Sequence, residues 1–188
     1  MNKTTKLTLT ALMAALCYVG FAVLQIPIQT PVGPTAFHLG NVFCVLTALL
    51  FDGLTGGIAG AIGMGIGDVI KPEYLITLPK TLFLKFFIGY ITGFVAHKIF
   101  NIKNKTNKLK PALLSTSAGM FFNLIGEPIV SYFYYGVILE NSEKALSYLQ
   151  IERWITTSVN CVLAVVIATI LYVAISKRIK FDKWINHH

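Results

Sequence analysis

Asp68, Lys85, Asn123, Glu127 and Asn160 are polar or charged side chains set within otherwise apolar runs of the sequence. In hydrocarbon such groups are expensive, so they pair with one another or serve a function. Their chemistry is that of recognition: an ammonium and amides that donate hydrogen bonds, and carboxylates and amide carbonyls that accept them. Asn123 and Glu127 stand four apart and share one helical face. Pro128 has no amide to donate, so a carbonyl near Glu127 is left available. One turn outward come Tyr132, Phe133, Tyr134 and Tyr135, either an interfacial aromatic belt or the wall of a pocket. The short connection between Asp68 and Lys85 puts both in one interior, predicting an ion pair that either pins two helices or presents Lys85 to a solute. His38 and Asn41 follow a proline-rich stretch, and His38 is either an interfacial helix-start residue or part of the same pocket. Arg153, Trp154, Thr157 and Asn160 line up at the outer end of the last apolar run.

The familiar catalytic constellations do not occur. The sequence holds no Gly-x-Ser-x-Gly elbow, no His-Glu-x-x-His helix and no metal-spaced cluster. Cys17, Cys44 and Cys161 are scattered through apolar runs, which suits packing rather than a disulfide frame or a zinc site. Gly63-Met64-Gly65-Ile66-Gly67 lacks the preceding strand and the Gly-Lys-Ser/Thr ending of a phosphate loop. Gly56/Gly60 and Gly63/Gly67 instead have the spacing that lets helix backbones touch in lipid. The residues therefore describe a non-enzymatic chain with no cofactor and no metal.

The elements that must position these residues are membrane helices. Of 188 residues 55% are hydrophobic and only 13% charged, and the mean hydropathy is +0.67. An ordinary soluble domain is about 25% charged. Six apolar segments can be drawn, at 7–28, 38–51, 54–70, 78–100, 112–139 and 154–176. Several approach the roughly 20 residues that cross a bilayer. The fold class expected is an all-α integral membrane protein of six transmembrane helices in a single domain, 1–188.

The net charge of +8 is distributed as membrane topology requires rather than as nucleic-acid binding would. Lys3 and Lys6, the cluster from Lys98 to Lys110, and Lys177, Arg178, Lys180 and Lys183 alternate along the chain with sparser Lys71, Lys80, Lys144 and Arg153. Cytoplasmic loops carry the Lys/Arg excess, so both termini are expected in the cytoplasm. Residues 98–111 then form a basic cytoplasmic loop and 177–188 a basic cytoplasmic tail, suited to anionic lipid. The first apolar run is longer than a signal-peptide core and has no small-x-small cleavage site. Pro27, Pro31, Gly33 and Pro34 forbid a helix in the first external connection. That connection, 29–37, is either a plain linker or a lid. The polar residues cluster in the outer halves of segments three to six beneath it, an arrangement suited to capturing a small hydrogen-bonding solute from outside.

This pattern resembles the substrate-binding membrane subunit (S component) of an energy-coupling factor (ECF) vitamin transporter. The resemblance covers the whole chain. It is carried by Thr10-Ala11-Leu12-Met13-Ala14-Ala15, by Phe37-His38-Leu39-Gly40-Asn41, by the glycine-rich third segment ending in Gly67-Asp68, and by Phe83-Leu84-Lys85-Phe86. It implies a multi-pass protein of a prokaryotic plasma membrane that binds a water-soluble vitamin at its outer side. It also implies docking, through Ala11 and Ala15, on a transmembrane coupling protein that works with two cytoplasmic ATPases. Mapped onto this chain, the lid is 29–37 and the ligand-binding residues are Lys85, Asn123, Glu127, Tyr132 and Asn160, with His38 and Asp68 in support. Aromatic rings with one base, one acid and two amides suit a flat heterocycle of the riboflavin, pyridoxine or hydroxymethylpyrimidine class. The competing expectation is a stand-alone secondary transporter that uses Asp68 or Glu127 as a proton-linked carboxylate.

Overall fold

The computed structural model describes residues 2–28, 35–140 and 142–178. Helix α1, Lys3–Tyr18, ends in a wide π turn, Val19–Val23, and a two-stranded hairpin follows, β1 (Gln25–Ile28) against β2 (Thr35–His38). Next come α2 (Gly40–Leu50), α3 (Gly53–Ile70), a 3-10 turn (Pro72–Thr77) and α4 (Leu78–Phe94), which closes with the π turn Val95–Ile99. Then follow the short turn Ile102–Asn104, α5 (Leu109–Phe133) with the π turn Tyr134–Ile138, and α6 (Glu143–Arg178). Five of the six helices are long and apolar enough to cross a membrane, and the chain is an all-α membrane protein.

Three boundaries differ from the sequence expectation. The first segment does not stay helical to Ile28: Pro27 cannot donate to a helix and biases Ile26 toward the β region, so Gln25–Ile28 becomes a strand paired antiparallel with Thr35–His38. His38 is accordingly the last residue of β2 rather than the start of a helix. The lid assigned to 29–37 falls mostly outside the described residues, and 35–37 belong to β2. The last helix starts at Glu143, eleven residues before the apolar run, because Glu143–Arg153 contains no proline or glycine to stop it.

Helix α2 has 11 residues, about 16 Å of helix, and all but one of them are buried. Strand β2 adds roughly 13 Å at about 3.3 Å per residue. The strand and the short helix together reach the length of one bilayer crossing, so the second segment is part strand and part helix.

Close backbone packing fixes the middle of the bundle. A Cβ on Gly56 would lie 2.7 Å from Ala48 Cα on α2, and one on Gly89 of α4 would lie 2.7 Å from the Gly56 carbonyl oxygen. Only glycine allows three helices to meet at that distance. The Cys44 thiol lies in the same seam, donating to the carbonyls of Gly56 and Lys85 at 3.6 and 3.5 Å. Its neighbours account for it as a packing residue.

At the end of the bundle that carries the N-terminus, Asp52 caps α3. Its Oδ1 accepts from the Thr55 amide at 2.8 Å, and Oδ2 pairs with Lys6 Nζ at 2.8 Å. Partial burial alone would raise the Asp52 carboxyl. The hydrogen bonds from Lys6 and Thr55 outweigh it and hold the group below its ordinary value. At the opposite end, α6 outruns the hydrocarbon: 36 residues make roughly 54 Å of helix against about 30 Å of hydrocarbon.

Candidate functional site

At the hairpin end the helices part around a cavity of about 60 Å³. Each wall is one element's contribution. Helix α4 brings Lys80, Thr81 and Lys85; α5 brings Asn123 and Glu127; α6 brings Arg153, Thr156, Thr157 and Asn160. Strand β2 closes it with Thr35, Ala36 and His38, while Asn41 of α2, Asp68 of α3, Phe21, Tyr74 and Thr77 complete the lining. Helical register explains the selection. Thr77, Thr81 and Lys85 recur every four residues, and so do Arg153, Thr157 and Asn160 within one residue, so one stripe of each helix faces inward.

The central contact is an ion pair between Lys80 and Glu127. Lys80 Nζ lies 2.5 Å from Glu127 Oε1 and donates to Ser131 Oγ at 3.0 Å. Ser131, one turn beyond Glu127, also donates to Glu127 Oε1 at 3.4 Å. The lysine and serine are buried, and the acid side chain is only 13% exposed. The pair expected between Asp68 and Lys85 does not form. Asp68 Oδ2 instead accepts from Thr77 Oγ1 at 3.3 Å, because the 3-10 turn between α3 and α4 brings that hydroxyl to the end of α3. Lys85 and Asp68 nevertheless line the same cavity.

Strand β2 is fastened to α6 by side chains acting as a third strand. Asn160 Oδ1 accepts from the His38 amide at 3.0 Å, and Asn160 Nδ2 donates to the Ala36 carbonyl at 3.0 Å. One amide side chain thereby meets two of the backbone groups on the edge of β2 that faces away from β1. Arg153 Nη1 donates to Thr35 Oγ1 at 3.0 Å, and its guanidinium lies 5.9 Å from the Tyr135 ring centroid. Thr35 and Thr156 hydroxyls meet at 3.5 Å. His38 Nδ1 accepts from the Gly40 amide at 3.2 Å. Its ring stands edge-on to Phe21, centroids 5.0 Å apart.

Several buried polar atoms face this space with no partner in the protein: both amide atoms of Asn41, Asn123 Oδ1 and Asp68 Oδ1. Asn123 Nδ2 reaches only the Cys161 sulfur, at 3.8 Å. Buried donors and acceptors are nearly always satisfied, and these open positions, one donor and three acceptors, are free to hydrogen-bond water or a solute in the cavity.

The structure brings Lys85, Asn123, Glu127, Asn160, His38 and Asp68 together around this cavity. Tyr132 is not among them. It is 54% exposed because it sits five residues, about 140° of helix, beyond Glu127. Tyr135 takes the inward position, buried beneath Arg153, and Tyr134 caps the Ile76 carbonyl at 2.6 Å. Ala11 and Ala15 lie on the exposed face of α1. Sequence reasoning missed the cavity positions of Lys80 and Arg153, treating both as external loop cations. The signal was Glu127: a lone carboxylate in an apolar run calls for a cation at matching depth.

Comparison with known proteins adds a family. The sequence model described as "ECF-type riboflavin transporter, S component" matches residues 1–177. Over 113 residues, 60% of this chain and 68% of the relative, the sequence is 33% identical to a Pyrococcus woesei protein described as "Uncharacterized protein in gap 3'region". No solved structure matches.

Proposed function

The chain belongs to the S components of ECF-type riboflavin transporters, vitamin-capture subunits rather than enzymes, and we propose that it binds a flavin or a similar flat heterocyclic vitamin in the cavity beneath the β1–β2 hairpin. The observation that carries this reading is the set of unsatisfied buried amide atoms on Asn41 and Asn123 facing a polar cavity. An aromatic lactam or imide edge supplies alternating donors and acceptors of the kind two amides can match. Phe21 and Tyr74 offer ring faces beside it.

Capture requires the site to open. Sites for small molecules enclose roughly 300–1,000 Å³, well above the present volume. The hairpin is the element free to move, since β2 is held to α6 by four side-chain hydrogen bonds rather than by apolar packing. On this reading Lys85, Asn123 and Glu127 meet the ligand, while Asn160 and Arg153 reseal β2 over it. With both termini in the cytoplasm, the hairpin faces the outside. Delivery then falls to a coupling protein and its ATPases, met through Ala11 and Ala15 on the exposed face of α1.

The test is to purify the chain alone from cells grown in rich medium, denature it, and identify released small molecules by absorbance and mass spectrometry. A stoichiometric flavin is the expected result. An empty protein whose melting temperature ignores a panel of vitamins overturns the reading. For docking, Ala11→Leu with Ala15→Leu should leave binding in detergent unchanged and abolish ATP-driven uptake; uptake that survives removes that face from the interface.

A further inference from the structure

His38 carries a hydrogen-bond donor that the protein does not use. Its Nδ1 accepts from the Gly40 amide at 3.2 Å. An imidazole nitrogen that accepts bears no proton, so the ring is neutral and its one N–H is at Nε2. Among the described residues nothing accepts from that N–H, although the side chain is only 9% exposed and lines the cavity. On its other side the ring borders a groove walled mainly by apolar side chains, Val23, Leu24 and Leu39 among them. Such a wall is a costly place to leave an N–H.

The ring is held from three directions. The His38 backbone amide donates to Asn160 Oδ1 of α6 at 3.0 Å, the Gly40 amide at the start of α2 engages Nδ1, and Phe21 meets the ring edge-on. Phe21 is itself edge-on to Tyr74, with centroids 6.1 Å apart. None of these contacts uses Nε2. A histidine buried only for packing satisfies both nitrogens within the protein; this one satisfies one and is held still. Three residues on, Asn41 leaves both of its amide atoms open. Together His38 and Asn41 offer two donors and one acceptor. An imide edge, with N–H between two carbonyls, offers two acceptors and one donor.

We propose that His38 is a ligand-binding residue, donating through Nε2 to a ligand carbonyl and selecting, with Asn41, a molecule with an imide edge. This rests on reading the cavity as the vitamin site and narrows that reading to pyrimidine-dione rings over aminopyrimidines and pyridines. Because His38 belongs to β2, the contact exists only while the hairpin is in place, so the ligand itself helps to fasten the strand.

The experiment uses the full-length chain in detergent with ring-¹⁵N histidine, the His38 resonances being assigned by their loss in His38→Gln. Free protein at neutral pH should show Nε2 protonated and Nδ1 bare; an imidazolium, or the opposite tautomer, overturns the proposal. Added riboflavin should move the Nε2–H proton downfield. By flavin fluorescence, His38→Phe, which keeps the ring packing, should bind riboflavin at least about tenfold more weakly, as when a buried partner is left unsatisfied. His38→Gln, which restores an N–H, should stay within about threefold of wild type. Riboflavin that binds wild type and leaves the Nε2–H resonance unmoved overturns the proposal even where the variants fold poorly. Wild type that ignores riboflavin sinks the flavin reading, and uracil against pyridoxine in a thermal-shift assay then decides. Stabilisation by uracil that moves the same resonance sustains the imide site; stabilisation by pyridoxine alone, or by neither, removes it.

Discussion

The seam where α2, α3 and α4 cross and the cavity where α4, α5 and α6 part are built from opposite materials. In the seam, Gly56, Gly89 and Ala48 bring backbones into contact and leave no space for a methyl group. In the cavity, lysine, arginine and carboxylate side chains hold helices apart and hydrogen bonds replace apolar packing. Lipid gives helices no hydrophobic reason to associate with one another, so packing and polar contacts must do it. Packing contacts lose about a quarter to a half of their strength when atoms separate by about 0.5–1 Å. Polar contacts can be exchanged for contacts to a ligand. The seam is therefore the part that must not change shape, and the cavity is the part that can.

The largest effect should come from filling the seam. Gly89→Leu drives a side chain into the Gly56 carbonyl, where backbone rather than a flexible chain end stands in the way. Overpacking typically costs about 1–3 kcal/mol, and backbone contact places this case at the top of that range. The expected outcome is loss of the monodisperse peak in size-exclusion chromatography. A variant that elutes and melts like wild type would mean that α3 and α4 can part, and the contrast between the two regions would collapse.

Breaking the cavity's ion pair should come next. Glu127→Gln leaves Lys80 buried without its acid, and removing one partner of a buried pair costs about 3–5 kcal/mol. Lys80→Met together with Glu127→Gln removes both charges and should recover most of the lost melting temperature. Ligand binding should fail in both. A double variant that recovers stability and also binds like wild type would show the pair to be purely structural.

Much of this contrast was legible in the sequence. Glycine spacing in α3 announced a close helix contact, and Asn123, Glu127 and Asn160 announced polar groups at membrane depth. Pairing partners were not legible. Whether Glu127 meets Lys80 or Lys85 depends on where α4 begins, and five residues of register turn a helix by about 140°. Lys80 lies at the very start of the segment 78–100 and was counted with the cations of the outer side, although the first turn of α4 turns it inward. The connection was read as a linker or a lid but not as a strand pair, because its β2 half runs apolar into α2 and its outer edge is completed by one asparagine 122 residues away.

That asparagine gives a smaller and more selective prediction. Asn160→Ala removes two of the four side-chain hydrogen bonds that fasten β2 to α6 and touches nothing in the seam. Each is worth about 0.5–1.5 kcal/mol, so melting should fall only modestly. Ligand dissociation should accelerate by about tenfold or more, since 1.4 kcal/mol of lost closure is one factor of ten. Unchanged dissociation kinetics in stopped-flow would mean that β2 is not the element that closes the site.

The smallest effect belongs to the far end of α3, where the seam meets water. Asp52 both caps the helix and pairs with Lys6. Each side chain in the pair is about 40% exposed, so the pair itself contributes only about 0–1 kcal/mol. The Asp52 carboxyl titrates below its ordinary value of 3.8, so its ionised form is favoured by folding. That stability is fully present above the ordinary value and is lost as pH falls through the folded one. Asp52→Asn retains an oxygen for the Thr55 amide but loses the charge. It should lower the melting temperature slightly at neutral pH, and the deficit should shrink as pH falls below the ordinary carboxylate value. Asp52→Ala loses the cap as well, which costs about 1 kcal/mol at every pH. If both variants lost equally at neutral and acid pH, the charge on Asp52 would be idle and the cap alone would set this end of the seam.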